Sequence, residues 1–212
     1  MPDSTSTSTR TARLSDSSSD PYLSRSVADL LDDMADRTPA PGGGAAAALT
    51  CAMGAALVEM ATSFGSAHGL DRVRARAHEI REEVSLLAHA DGVAYGHVLD
   101  ALRASGDERH RQLDGAVSEA IAVPMRVLEL ASEVATLAAD VAETGNRNLE
   151  GDALAGSLLA EAAARSAATL AQMNVSMLSR GSIADAQLEK LRPALARATR
   201  ARERAVEAYA AI

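Results

Sequence analysis

Residues 42–64, GGGAAAALTCAMGAALVEMATSF, are apolar around the whole circumference of a helix except for Glu59. A helix without a polar face cannot lie on a surface, so other elements must cover it on several sides. Its alanine content, its shortness and the glutamate make it a poor membrane span. The segment therefore calls for a surrounding bundle. The remaining chain has the composition to build one: 47% of the 212 residues are hydrophobic but only 2% aromatic, with no Trp. The apolar mass is Ala, Leu, Val and Met, which favours helices over sheets.

The helical period recurs along the chain. In YLSRSVADLLDDMADR, Leu23, Val27, Leu30, Leu31 and Met34 form one apolar stripe. After the break FGSAHGLD, Asp71 is placed to cap a helix from about 72 to 104. A further helix is expected over about 108–143, kinked at Pro124 and ended by Gly145. Two more follow over about 149–179 and 184–209, the last split or bent near Pro193. No window alternates like a strand. The expected fold is an all-α bundle of five to six long helices. Several helices carry apolar stripes on more than one side, which predicts a homodimer. Residues 1–20 are nearly all Ser, Thr and charged, so a disordered tail is expected there, with the helical domain over 21–212.

The formal net charge of −8, without a basic cluster, argues against nucleic acid and against an anionic membrane surface. Cys51 stands alone, which excludes a disulfide framework or a cysteine-based metal site within the chain. It reads as a small buried hydrophobe rather than a nucleophile. His68, His78, His89, His97 and His110 form no HExxH pair, so no zinc or iron site is expected. No signal-peptide-like apolar run is present near the N-terminus, and a cytoplasmic location is expected.

Three features can carry chemistry. Gly42, Gly43 and Gly44 start a helix, where free amides and the positive dipole end favour an anion. They lack the Lys-Ser/Thr of a phosphate loop, and they serve equally to let a neighbouring helix approach closely. HADGVAY puts Asp91 and Tyr95 on one helix face. GNRNLEGD puts Asn146, Asn148 and Asp152 around a helix start, where singly they suit caps and dipole partners. Together these residues supply the carboxylates and amides that acid/base work on a polar heterocycle requires.

The succession LLDDMADRTPAPGGGAAAALTCAMGAALVEMA, ADGVAYGHVLDA, AIAVPMRVLELA and AETGNRNLEGDALAGSLLAEAAARSA resembles the cyclodeaminase/cyclohydrolase family over roughly residues 22–210. The resemblance implies an all-helical homodimer that binds a tetrahydrofolate derivative as substrate and needs no metal or redox cofactor. Such proteins release ammonia from formiminotetrahydrofolate with ring closure, or open the methenyl ring with water. By motif, Pro41, Gly42, Gly43 and Gly44 would line the ligand cleft, with Tyr95 and Asn174 as further substrate contacts. Asp91 and Asp152 would be the catalytic carboxylates, Asp91 moving the proton, and Asn146 and Asn148 their amide partners. The sequence departs from the family pattern at Ala40 and Ala45, where hydroxyl residues are usual, and at Leu170, where an Asn is usual. It also has no Lys in ATSFGSAHGLDRVRA after the second helix. These changes remove donors, which leaves two alternatives: a less polar ligand on the same scaffold, or a non-catalytic binding dimer.

Overall fold

The structure is a computed structural model that describes residues 20–65, 69–177 and 182–210. The expected tail at 1–20 lies almost wholly outside the described residues. Those residues form six helices and no strand: α1 (Val27–Ala35), α2 (Gly43–Ser63), α3 (Leu70–Arg103), α4 (Gly106–Thr144), α5 (Glu150–Val175) and α6 (Ser182–Ala210). A single 3-10 turn, Arg147–Leu149, joins α4 to α5.

Helix α4 is the axis of the bundle and touches α2, α3, α5 and α6. Its Val117, Ile121, Leu128, Leu130 and Val134 are fully buried. Helix α2 wedges between α3 and α5. Its core face is mostly alanine, which brings the helix axes close. The backbones of α2 and α5 meet at Gly54 and Gly156: a Cβ on Gly54 would stand 2.9 Å from the Gly156 carbonyl oxygen. Close packing of α2 on α5 therefore depends on Gly54, in mid-helix. Glu59, its only charge, is held by Arg81 of α3 at 2.6 Å. Cys51 is buried against the core, where desolvation pushes its thiol up to about 12. It is a packing residue, unreactive by burial.

Two local expectations change. Asp71 does not cap α3; Gly69 does, with φ 96° in the left-handed region, and the helix begins at Leu70. Helix α6 runs from Ser182 to Ala210 through Pro193, so it is not split at that proline. Next to that proline the buried Ser132 hydroxyl of α4 donates to the Ala194 carbonyl at 2.8 Å, a tertiary bond that ties α6 to α4.

Candidate active site

The site assembles at the N-terminal end of α2. Gly42 is the N-cap, in extended conformation and with no capping side chain. The first intrahelical bond is Ala46 N–H to the Gly42 carbonyl at 3.0 Å, so the amides of Gly43, Gly44 and Ala45 lie ahead of the ladder. Pro41 is buried behind them, joined to Ala40 through a cis peptide.

Helix α3 brings Asp91 against this end. A Cβ on Gly44 would overlap the Asp91 carboxylate. Only glycine lets the carboxylate lie on the helix start. Gly42 and Gly43 are freer: a Cβ there would meet Pro39 or Leu170 at 3.7 Å, ordinary contact distance. On the other side of Asp91, a Cβ on Gly92 would press the Ala40 methyl and the Tyr22 hydroxyl, each at 3.1 Å. Glycines thus bracket the carboxylate and keep it close to two walls.

Burial raises the carboxyl of Asp91 above its ordinary value. Burial also raises the Tyr22 phenol, with the Asp91 charge the next cause. The carboxylate faces a cavity of about 300 Å³ whose walls include Pro39, the three glycines and Tyr95. The far wall is Ala120 of α4 with Leu170, Met173 and Asn174 of α5. Gly43 and Leu170 also border a second depression of about 430 Å³ along the α2–α5 seam, lined by Thr50, Ser166 and Thr169 among others. A ligand longer than the first cavity can therefore continue along this seam.

Asn174 has a defined attachment. Its side-chain amide donates to the Ala120 carbonyl at 2.6 Å. That carbonyl lies four residues before Pro124, which has no N–H to return the helix bond. The proline in α4 thus creates an acceptor, and Asn174 of α5 satisfies it at the cavity wall.

Asn146, Asn148 and Asp152 lie elsewhere. Asn146 donates to the Phe64 carbonyl at 3.3 Å, just past the end of α2, and accepts from the Asn148 amide at 3.0 Å. Asp152 is in the first turn of α5. Helix α2 has 21 residues. At 1.5 Å per residue it holds the two groups roughly 30 Å apart within one chain. Asp91, Tyr95, Asn174 and the three glycines are brought together; Asn146, Asn148 and Asp152 are not. Of the departures, Ala45 is buried and Ala40 packs on Gly92, so Leu170 is the one that lines the cavity.

Pro39, Ala120 and Met173 were not singled out from sequence. The only available signal was that Leu170, Met173 and Asn174 share one face of α5 at helical spacing, a pattern that reads equally as core.

The family model described as Formiminotransferase-cyclodeaminase matches residues 26–193. The methenyltetrahydrofolate cyclohydrolase of Methylorubrum extorquens is 33% identical over 195 residues, covering 85% of this chain and 94% of that protein. The formimidoyltransferase-cyclodeaminase of Mus musculus is 29% identical over 138 residues, which are 58% of this chain and 26% of the mouse protein. Among solved structures, the formiminotetrahydrofolate cyclodeaminase of Thermotoga maritima superposes with a TM-score of 0.83 at 27% identity, covering 89% of this chain and 98% of that one. The matched stretch runs from the start of α1 into α6 and contains every residue of the cavity, and the chain belongs to the formiminotransferase-cyclodeaminase family.

Proposed function

We propose that this chain is a folate-dependent one-carbon enzyme, a methenyltetrahydrofolate cyclohydrolase or a formiminotetrahydrofolate cyclodeaminase, with Asp91 as its proton-transfer group. The observation that carries the reading is the Asp91 carboxylate, half-buried on Gly44 and facing the cavity. A carboxyl with raised proton affinity can accept a proton near neutrality and return it within the same turnover.

In the hydrolytic reaction, water oxygen bonds to the methenyl carbon between two folate nitrogens while Asp91 takes the water proton. The hydroxyl on the tetrahedral carbon then loses its proton to solvent as one C–N bond breaks, and the proton held by Asp91 passes to the departing nitrogen, leaving a formyl group on the other. In the deaminating reaction, the second folate nitrogen bonds to the formimino carbon and gives its proton to Asp91; the imino nitrogen takes up that proton and one from solvent and departs as ammonia, leaving the methenyl cation. Tyr95 and Asn174 flank the reacting group, and the backbone amides of Gly43 and Gly44 suit a carbonyl or carboxylate of the substrate. Relatives named as folate enzymes disfavour both a less polar ligand and a non-catalytic dimer, and with Ala40 and Ala45 away from the cavity Leu170 is the one apolar replacement in its wall.

The reading includes a homodimer. Ala46, Leu49, Met53, Ala56 and Met60 recur at helical spacing along α2 and are exposed or half-buried. They continue into an apolar groove of about 570 Å³ with Tyr22, Leu30 and Met34. A two-fold axis crossing α2 near Met53 lays two copies of this stripe antiparallel. It sets the Gly42 end of one copy against the Phe64 end of the other, where Asn146 is bonded. In that arrangement Asn146, Asn148 and Asp152 serve the cavity of the second copy, Asp152 as its second carboxylate.

The test is spectroscopic. Full-length protein is mixed with methenyltetrahydrofolate, and loss of the methenyl absorbance is followed; in a parallel sample with formiminotetrahydrofolate, its appearance is followed. Enzyme-dependent change in either sample is expected, and it identifies the reaction. No change in both would overturn the reading.

A further inference from the structure

Of the three opening glycines, only Gly44 is required by its own chain, where a Cβ would overlap the Asp91 carboxylate. A Cβ on Gly42 or Gly43 would meet Pro39 or Leu170 at 3.7 Å, and Gly43 is exposed. Bare backbone at these two positions leaves room that the single chain does not fill. Gly43 and Leu170 are also where the Asp91 cavity adjoins the α2–α5 seam, which reaches the apolar stripe of α2 at Ala46.

The other end of that stripe carries the complementary feature. Phe64, the only phenylalanine of the chain, is the C-cap of α2 and falls four residues after Met60, on the side of the stripe. It is 67% exposed, and its carbonyl accepts from the Asn146 side chain at 3.3 Å. One exposed apolar residue is ordinary. This one ends a continuous apolar row, and it lies as far from Met53 in sequence as Gly42 does. Two α2 helices crossing antiparallel at Met53 therefore bring the ring of each to the bare glycines of the other. The small side chains of Ala46 and Ala56 flank that crossing and suit an axial separation of about 8–10 Å.

We propose, resting on the folate reading and the dimer above, that Phe64 of the second copy covers Gly42 and Gly43, closes the mouth of the Asp91 cavity and stacks its ring on the flat heteroaromatic part of the substrate. Glycine at 42 and 43 is then explained by the ring that lies on it. A phenyl ring contributes area and offset stacking but neither donor nor acceptor, so Phe64 acts on substrate affinity and leaves the proton to Asp91.

Two measurements test this, the first without substrate. The full chain carrying Gly42→Cys and Phe64→Cys together is expected to form a covalent dimer with oxidised glutathione, read on a non-reducing gel. Each single variant should run as a monomer, because like positions lie at opposite ends of the paired helices, roughly 30 Å apart. Cys51, buried in the core, takes no part. In the second measurement, Phe64→Ala should raise KM for whichever folate is turned over by about tenfold with far less change in kcat, while Phe64→Tyr keeps the ring and stays near the wild-type KM. A hybrid dimer of one Phe64→Ala chain and one Asp91→Asn chain, isolated through two different tags, should regain the wild-type KM. Its one intact carboxylate then faces the ring of the other chain. A hybrid that keeps the raised KM would place the ring in its own chain's cavity and overturn the proposal, as would an unchanged KM for Phe64→Ala. No covalent dimer from the double variant, or one from Phe64→Cys alone, would overturn it too. Crosslinking decides the placement even if neither folate is turned over, so a failure of the folate reading shows separately.

Discussion

Asp91 is placed where its charge is disfavoured, and this has a measurable consequence for stability. Its folded-state carboxyl is raised by burial, so the neutral acid is the form the fold prefers. Stability from this group is complete below the unfolded carboxylate value and is lost as pH rises through the raised folded value. Asparagine has the same shape and is neutral throughout. Asp91→Asn is therefore expected to melt higher than the wild type at pH 8, with the difference shrinking toward pH 4; thermal unfolding across that range checks it. A difference independent of pH would show that the carboxylate is not disfavoured by burial. Gly44 carries the matching steric constraint. Gly44→Ala drives a methyl into the carboxylate and should cost about 1–3 kcal/mol in chemical denaturation, with loss of turnover. Gly43→Ala meets only Leu170 at 3.7 Å and should fold normally, its methyl projecting into the cavity and weakening ligand binding.

At the scale of elements, the coupling of α4 to α5 depends on a proline. Asn174→Ala should orphan the Ala120 carbonyl and cost roughly 1–3 kcal/mol. Pro124→Ala returns an N–H to that carbonyl, so the same Asn174 change should cost well under half as much in its presence. Denaturant melts of the four proteins in this double-mutant cycle check it; additive costs would mean that the bond and the proline are unrelated. This pairing also shows where sequence reading stops. Pro124 announces an orphaned carbonyl, but only tertiary structure says that α5 supplies the donor. Helix α2 was legible because its alanines leave no polar face to misplace, and Asp91 with Tyr95 because four-residue spacing fixes a shared face. The start of α3 was missed because a left-handed Gly69 can end the preceding loop as well as Asp71 could cap the helix. The Asn146–Asp152 group was read as part of one site because a motif carries no distances. The length of α2 separates it from Asp91 in the single chain.

For the whole molecule, the apolar stripe of α2 and the α1 groove present exposed and half-buried apolar side chains side by side, the kind of surface a second copy covers in the proposed dimer. Sedimentation velocity at micromolar concentration should give a dimer, and Met53→Glu, at the proposed two-fold axis, should give a folded monomer. A wild-type monomer would remove the route by which Asp152 reaches a cavity. The central claim concerns Asp91, and kinetics on whichever of the two folate substrates is turned over tests it most directly. Asp91→Asn should bind that substrate with nearly unchanged affinity, while its kcat falls by about 10²–10⁴-fold, the usual scale for losing a positioned acid/base group. A variant that binds and turns over like the wild type would contradict the assignment of proton transfer to Asp91.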